Sequence, residues 1–305
     1  MKLDSHFVGT SLKTYRTFVD WRHTMNYAAA VSDCNPVYFD DERGGGIMAP
    51  PMFSAAVTWP IMADIGGYIR DATFPRELLL TQVHHTEHLQ FHRPVIPGEE
   101  LSVRGRIAAI LPHRAGTRVV IGLEAQNAGG QPVFTEHLGA MLRGVTCLGG
   151  GQGEADLPVM PRPSNPMDGG WEANVFIEPE RPHLYDGCTG IVFPIHTSPQ
   201  FAHQVGLPGV ILQGTATLAL AAREIVNREA SGDPARLEGL ACRFSGMVRP
   251  GTTIQIRMVS QSKDHQGTDL FFEVWNEDGK PVLRNGWAFI RWSDGPRPAQ
   301  IRYIN

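Results

Sequence analysis

Two short segments look like divergent copies of one pattern suited to moving protons. Ser32-Asp33-Cys34-Asn35-Pro36-Val37-Tyr38 keeps a carboxylate, an amide and a proline, and closes on a phenol. Gly190-Ile191-Val192-Phe193-Pro194-Ile195-His196 keeps the proline and closes on an imidazole, with Ile191 and Phe193 where the first copy has Asp33 and Asn35. An Asp and a His brought together around an Asn-Pro turn could take a proton from water and return it elsewhere. Each copy has lost a different part of that pair.

A second cluster, His84, His85, His88 and His92 in VHHTEHLQFHRP, has metal-ligating side chains. On a helix its i, i+4 spacing would suit zinc at ~2 Å per nitrogen. On a strand His84, His88 and His92 would share a face but lie ~13 Å apart step by step, too far for one ion. Leu89 and Phe91 alternate and Arg93-Pro94 ends the run, so a strand is expected and no metal. The matching segment later in the chain, LEGLACRFSGMVRPG, has no histidine.

The elements that must position these residues repeat. Gly46-Ile47-Met48-Ala49-Pro50-Pro51 after the first copy answers Gly209-Val210-Ile211-Leu212-Gln213-Gly214 after the second. Pro97-Gly98 opens the alternating run ELSVRGRI, and Pro250-Gly251 opens TIQIRMVS. NAGGQPV from Asn127 matches NEDGKPV from Asn276, each reading as strand, turn, strand. Each half has one helical stretch, Pro51–Tyr68 and Gly214–Ala230, the first kinked at Pro60. Three or four strands follow each. The stretch 148–174, rich in Gly and Pro, reads as a linker between domains 1–147 and 175–305. A helix followed by an antiparallel sheet, twice, gives an α+β fold built as a fused pseudo-dimer.

Composition narrows the function. The chain has 305 residues, enough for two domains, with 42 % hydrophobic and 19 % charged residues, as in a globular protein. A net charge of -4 offers no reason to expect nucleic acid or an anionic membrane as partner. Four scattered cysteines, Cys34, Cys147, Cys188 and Cys242, read as reduced thiols, and a soluble, cytoplasmic protein is expected. No dinucleotide, P-loop or nucleophile-elbow motif occurs, so no cofactor is expected.

With these landmarks the chain resembles the MaoC-like, double hot-dog hydratases and dehydratases of acyl thioesters, whose signature is G-D-x-N-P-x-H. Residues 1–146 resemble that family's N-terminal dehydratase domain and 175–292 its C-terminal MaoC domain. The resemblance implies two hot dogs, each a long helix wrapped by a curved antiparallel sheet. It also implies hydration of a 2-enoyl thioester carried on CoA or acyl carrier protein: the motif Asp and His handle water and proton, and a backbone N–H at the helix start stabilises charge on the thioester oxygen.

Carried onto this sequence, the donor position is Gly214 in the second half but Pro51, which has no N–H, in the first. The working site is therefore expected on His196 and Gly214. Its carboxylate is missing at Ile191, and three remedies stay open: Asp186, Asp33 from the other half, or His196 alone. Thr189, Thr197 and Ser198 could hold the water, and Gln213 could bond substrate or its own loop. Asp33, Asn35 and Tyr38 would form a pseudo-site, in which an Asx-turn and a packed aromatic serve equally well. By the same analogy the first half, with Phe53, Trp59 and Met62, opens as a pocket for a bulky or long acyl chain, and a homodimer is expected. Two other classes compete: a silent acyl-thioester binding subunit, and a thioesterase, for which Glu224 lies two turns too far along its helix.

Overall fold

The computed structural model describes residues 1–163 and 170–293; the remainder of the linker and the tail of the second domain lie outside the described residues. Elements are numbered in chain order. The first half contains β1 (Lys2–Asp4), β2 (Tyr15–Phe18), α1 (Trp21–Ala30), α2 (Phe53–Ala63), α3 (Ile65–Tyr68), β3 (Gln82–Phe91), β4 (Glu100–His113), β5 (Gly116–Asn127), β6 (Pro132–Arg143) and β7 (Thr146–Leu148). The second contains β8 (Glu172–Ile177), α4 (Arg181–Thr189), α5 (Pro199–Gln204), α6 (Gly214–Glu229), β9 (Leu237–Phe244), β10 (Thr252–Lys263), β11 (Gly267–Trp275) and β12 (Pro281–Arg291).

Ten strands form one sheet in the order β2-β4-β5-β6-β3-β9-β12-β11-β10-β8. The halves join where β3 pairs antiparallel with β9, with His88 opposite Ala241 and Glu87 opposite Cys242. Aligning Pro97-Gly98 with Pro250-Gly251 puts Ala241 at the position of His88. These two face each other, so a pseudo-two-fold axis runs between them. Tyr27 and Tyr185, each six residues before its motif's second position, also meet there, hydroxyl to hydroxyl at 2.8 Å.

The long helices lie in the hydrophobic core. α2 buries Phe53, Ala55, Ala56, Val57, Ile61 and Met62, apolar nearly all round, as a helix enclosed by its sheet must be. α6 presents Ala216, Ala219, Ala221 and Ala222, whose small side chains let it lie close to its neighbours. The two Asn-to-Pro turns are hairpins with Gly130 at φ 75° and Gly279 at φ 65°. Asn127 Oδ1 accepts from the Gln131 N–H at 2.9 Å and Asn276 Oδ1 from Lys280 at 3.0 Å.

Three expectations are corrected. The first helical stretch is not continuous to Tyr68: α2 ends at Ala63 and the chain breaks at Asp64, φ −125°, whose carboxylate caps α3. Each half has more than one helix. α1 and α4 are added, each with a cap: Asp20 accepts from the His23 N–H at 3.0 Å, and Gly190 closes α4 at φ 71°. His84 does not share a face with His88, because a bulge between His84 and Thr86 turns it toward Glu87 on the core side. The linker is not a bare connection: Gln152 bridges to Ile110, Leu157 packs on Ala108, Leu111 and Val120, and Met160 packs beside Trp287 and Phe289.

Candidate active site

In the first half-site Asp33 and Asn35 each bond within the loop. Asp33 is buried and accepts from the Asn35 N–H at 3.2 Å. Asn35 Oδ1 caps Val37 at 3.1 Å while its amide donates to the Gly232 carbonyl at 2.6 Å, stapling the loop to the other half. Burial raises the Asp33 carboxyl above its ordinary range, against the pull of the Asn35 N–H, Asn227 and Arg223. Burial also holds the Tyr38 phenol well above its usual value, with Asp33 and Asp233 adding to the effect, so it stays protonated. Asp33 and Tyr38 do share a small cleft with Val31, Pro51 and Ala222. At the position of Gly214 the first half has Pro51, which has no N–H; Met52, which also lines the cleft, keeps one, while Phe53 N–H is bonded to the Pro50 carbonyl at 2.9 Å and Ser54 N–H to Pro51 at 3.3 Å.

The second half-site has the same turn of 3-10 helix, Pro194–His196 here and Pro36–Tyr38 in the first, but here His196 Nδ1 lies 2.8 Å from the Ile211 carbonyl. A carbonyl only accepts, so Nδ1 carries the proton and Nε2 the lone pair. Burial lowers the His196 pKa, offset in part by the Ile211 bond and by the charge of Asp186. Asp186 Oδ2 is buried without a partner. Ile191 joins the core at 3 % exposure, while Phe193 stands outside against Phe201 and His196.

Gly214 opens α6, and the first-turn N–H groups of a helix have no partner within it. A Cβ at Gly214 would meet the Phe244 ring at 3.0 and 3.1 Å, so glycine lets β9 approach. Gln213 precedes it, donating from Nε2 to the Pro182 carbonyl at 3.0 Å, with Oε1 buried and unpartnered. Thr189 and Ser198 are engaged by backbone: Thr189 Oγ1 donates to the Tyr185 carbonyl at 2.5 Å and accepts from Ile191, and Ser198 Oγ caps Phe201. Thr197 is half-buried beside His196. Asp33 sits with the first half-site. Glu224 is ion-paired with Arg223 and Arg228, which removes the carboxylate a thioesterase would use.

The structure adds residues that the motif comparison missed. His84, on the neighbouring strand, stacks at 4.3 Å on Phe244, the ring that touches Gly214. Its Nε2 comes within 3.1 Å of Glu87 Oε2, out of line for a good bond. Glu87 and Glu136 are each 1 % exposed and bond each other side chain to side chain, with Thr58 bonded to Glu136. Burial pushes Glu87 up to about 8 and raises Glu136 well above its usual range, each carboxyl being close to the other. One sign of them lay in the sequence: Glu87, Leu89 and Phe91 alternate, which places an acid on the face that packs inward.

Known proteins agree with this architecture. The profile of the MaoC like domain matches residues 161–277, and that of the FAS1-like dehydratase domain region matches 6–136. The chain is 27 % identical over 264 residues to the 3-hydroxyacyl-thioester dehydratase Y of Mycobacterium tuberculosis, covering 83 % of this chain and 86 % of that one. It is 28 % identical over 169 residues to the "Probable enoyl-CoA hydratase 2" of Dictyostelium discoideum, covering 55 % of each. This chain thus spans little more than half the length of that relative. The crystal structure of a MaoC-like dehydratase from Phytophthora capsici superposes with a TM-score of 0.78 at 22 % identity, covering 95 % of this chain and 98 % of that one.

Proposed function

From the membership of this chain in the MaoC-like double hot-dog hydratase and dehydratase family, we propose that it is a hydro-lyase that reversibly adds water to a 2-enoyl thioester, giving the 3-hydroxyacyl thioester. The observation that carries this reading is the second half-site, where His196 with its Nε2 lone pair and the N-terminus of α6 at Gly214 survive together. His196 Nε2 takes a proton from water as the oxygen adds to C3. The Gly214 N–H stabilises the negative charge that develops on the thioester oxygen, and the imidazolium returns the proton to C2 on the same face. Asp186 supplies the carboxylate that Ile191 cannot, its buried oxygen holding the water for attack. Gln213 and Thr197 border the substrate.

The two hot dogs are assigned to 1–147 and 175–305, joined by 148–174. The acyl group is carried on CoA or acyl carrier protein, and the protein works in the cytoplasm as a homodimer. Among the described residues no helix is long and apolar enough to cross a membrane.

The test follows the loss of enoyl-thioester absorbance on short and medium enoyl-CoAs, wild type beside His196→Ala. Turnover that falls ~100-fold or more in the variant is expected, the usual scale for an acid–base residue. Release of free CoA would mean hydrolysis, and acyl-CoA binding without turnover in either protein would mean a silent binder.

A further inference from the structure

Two cavities meet at Pro50-Pro51, beside the motif loop of the first half. The outer one, about 420 Å³, lies between Phe91, Arg93 and Val95 of that half and Pro234 and Leu237 of the other. The inner one, about 240 Å³, holds Asp33, Tyr38 and Met52. The pseudo-two-fold says what the outer cavity corresponds to. Phe91 follows His88 by three residues as Phe244 follows Ala241, and the Ala49 N–H bonds Val95 as the Leu212 N–H bonds Val248, both at 2.9 Å. The outer cavity therefore occupies the place that the approach to Gly214 has in the second half. Phe53 and Met62, expected to line a wide acyl pocket here, are spent in the core.

The inner cavity brings a base together with donors. Asp33 accepts from the Asn35 N–H and from Asn227, and a carboxylate has about four lone-pair sites, so it can accept again. Burial raises its pKa, which makes it the stronger base. Tyr38 keeps its phenol proton, and Met52 brings a backbone N–H from the start of α2. Water is not provided for. Asn35 has both ends of its amide bonded, to Val37 and Gly232, and the other walls include Val31, Pro50, Ala219 and Ala222. A carboxylate base with a phenol donor and no held water suits removal of a proton beside a carbonyl, the charge passing to the carbonyl oxygen. The second half-site kept the histidine of the motif and lost its carboxylate; the first did the opposite.

We propose that the first half-site is a second catalytic centre, an isomerase that converts a 3-enoyl thioester to the 2-enoyl thioester with Asp33 as its base. This rests on the proposed thioester substrates and not on hydration at His196. The Asp33 carboxylate removes a proton from C2. The C–H electron pair forms a C1–C2 double bond while the carbonyl pair moves onto the thioester oxygen, where the Tyr38 O–H and the Met52 N–H hold it. The oxygen pair then returns, the C1–C2 pair moves to C2–C3, and the C3–C4 pair takes the proton back from Asp33 at C4. No atom or electron is gained or lost, and no water or co-reactant enters. The product is the substrate of the hydration proposed at His196, so one chain carries two consecutive steps.

The experiment gives the full chain 3-hexenoyl-CoA and follows 2-hexenoyl-CoA and 3-hydroxyhexanoyl-CoA by chromatography. Wild type should consume the 3-enoyl substrate, and in His196→Ala the 2-enoyl product should accumulate. Asp33→Asn should slow the conversion ~100-fold or more, the scale of losing an acid–base residue. Tyr38→Phe keeps the ring in place and should cost ~100-fold, the scale of losing an oxyanion donor, so it decides the matter if Asp33→Asn does not fold. A wild type that leaves 3-hexenoyl-CoA untouched overturns the proposal. So does conversion that persists in both first-half variants, or that is lost in His196→Ala. Accumulation of 2-hexenoyl-CoA by wild type without the hydroxyacyl product would sink the hydration reading and leave this one standing. Hydration of 2-hexenoyl-CoA with no conversion of its 3-isomer would do the reverse.

Discussion

The base proposed at His196 must be neutral, and its surroundings favour that: burial lowers its pKa and the Ile211 carbonyl fixes the proton on Nδ1. kcat/KM should rise with pH through a limb lying below the ordinary histidine value of ~6.5. Asp186 raises that pKa through its charge, so Asp186→Asn should move the limb to still lower pH as well as lowering kcat. A pH–rate profile of the two proteins decides this; a limb above ~6.5, or one indifferent to Asp186→Asn, would assign the base elsewhere. At this scale the sequence was partly legible. His196, Asp186 and Gly214 could be picked out from motif and alignment. That Thr189 and Ser198 cap helices could not, because a hydroxyl's partner is set by where the backbone turns.

The N-terminus of α6, the proposed oxyanion donor, lies against Phe244 of β9. Gly214→Ala keeps the N–H but sets a methyl about where the Phe244 ring now is, and so should destabilise by ~1–3 kcal/mol, the usual cost of overpacking, and shift the helix start from the substrate. Phe244→Leu in the same chain should recover much of the stability. Denaturant unfolding of the single and double variants measures this; a Gly214→Ala protein as stable as wild type would show that the contact yields. The first half makes the contrast from proline alone. Pro51 removes the donor at the position of Gly214, and the Phe53 and Ser54 N–H groups bond the Pro50 and Pro51 carbonyls.

Across the whole molecule, the junction of the two sheets carries Glu87 and Glu136 in the core. Glu87 titrates near 8 when folded and in the ordinary carboxylate range when unfolded, so between those values the folded chain holds the extra proton. Its stabilising contribution is complete below the unfolded value and is lost as pH rises through about 8. Stability should therefore fall with rising pH by up to ~1.4 kcal/mol per unit for this group, and Glu136 acts in the same direction. Glu87→Gln should flatten the slope and raise stability most at alkaline pH. Urea midpoints at three pH values check it, and parallel slopes in the two proteins would contradict it.

What the sequence determined by itself is the duplicated plan. Pro-Gly pairs, Asn-to-Pro hairpins and the two motif copies are local signals, set by backbone conformation within a few residues, and they survive without knowledge of the partner. They were enough to place the fold, to separate a half with an N–H at the position of Gly214 from one without, and to put His196 in the former. The tertiary structure decided what depends on residues far apart in the chain. The bulge after His84 turned that ring inward, the β3–β9 register set Glu87 opposite Cys242, and Leu157 of the linker came to pack on Ala108, Leu111 and Val120. Strand order and register follow from how two halves close on each other, and no local propensity encodes that closure.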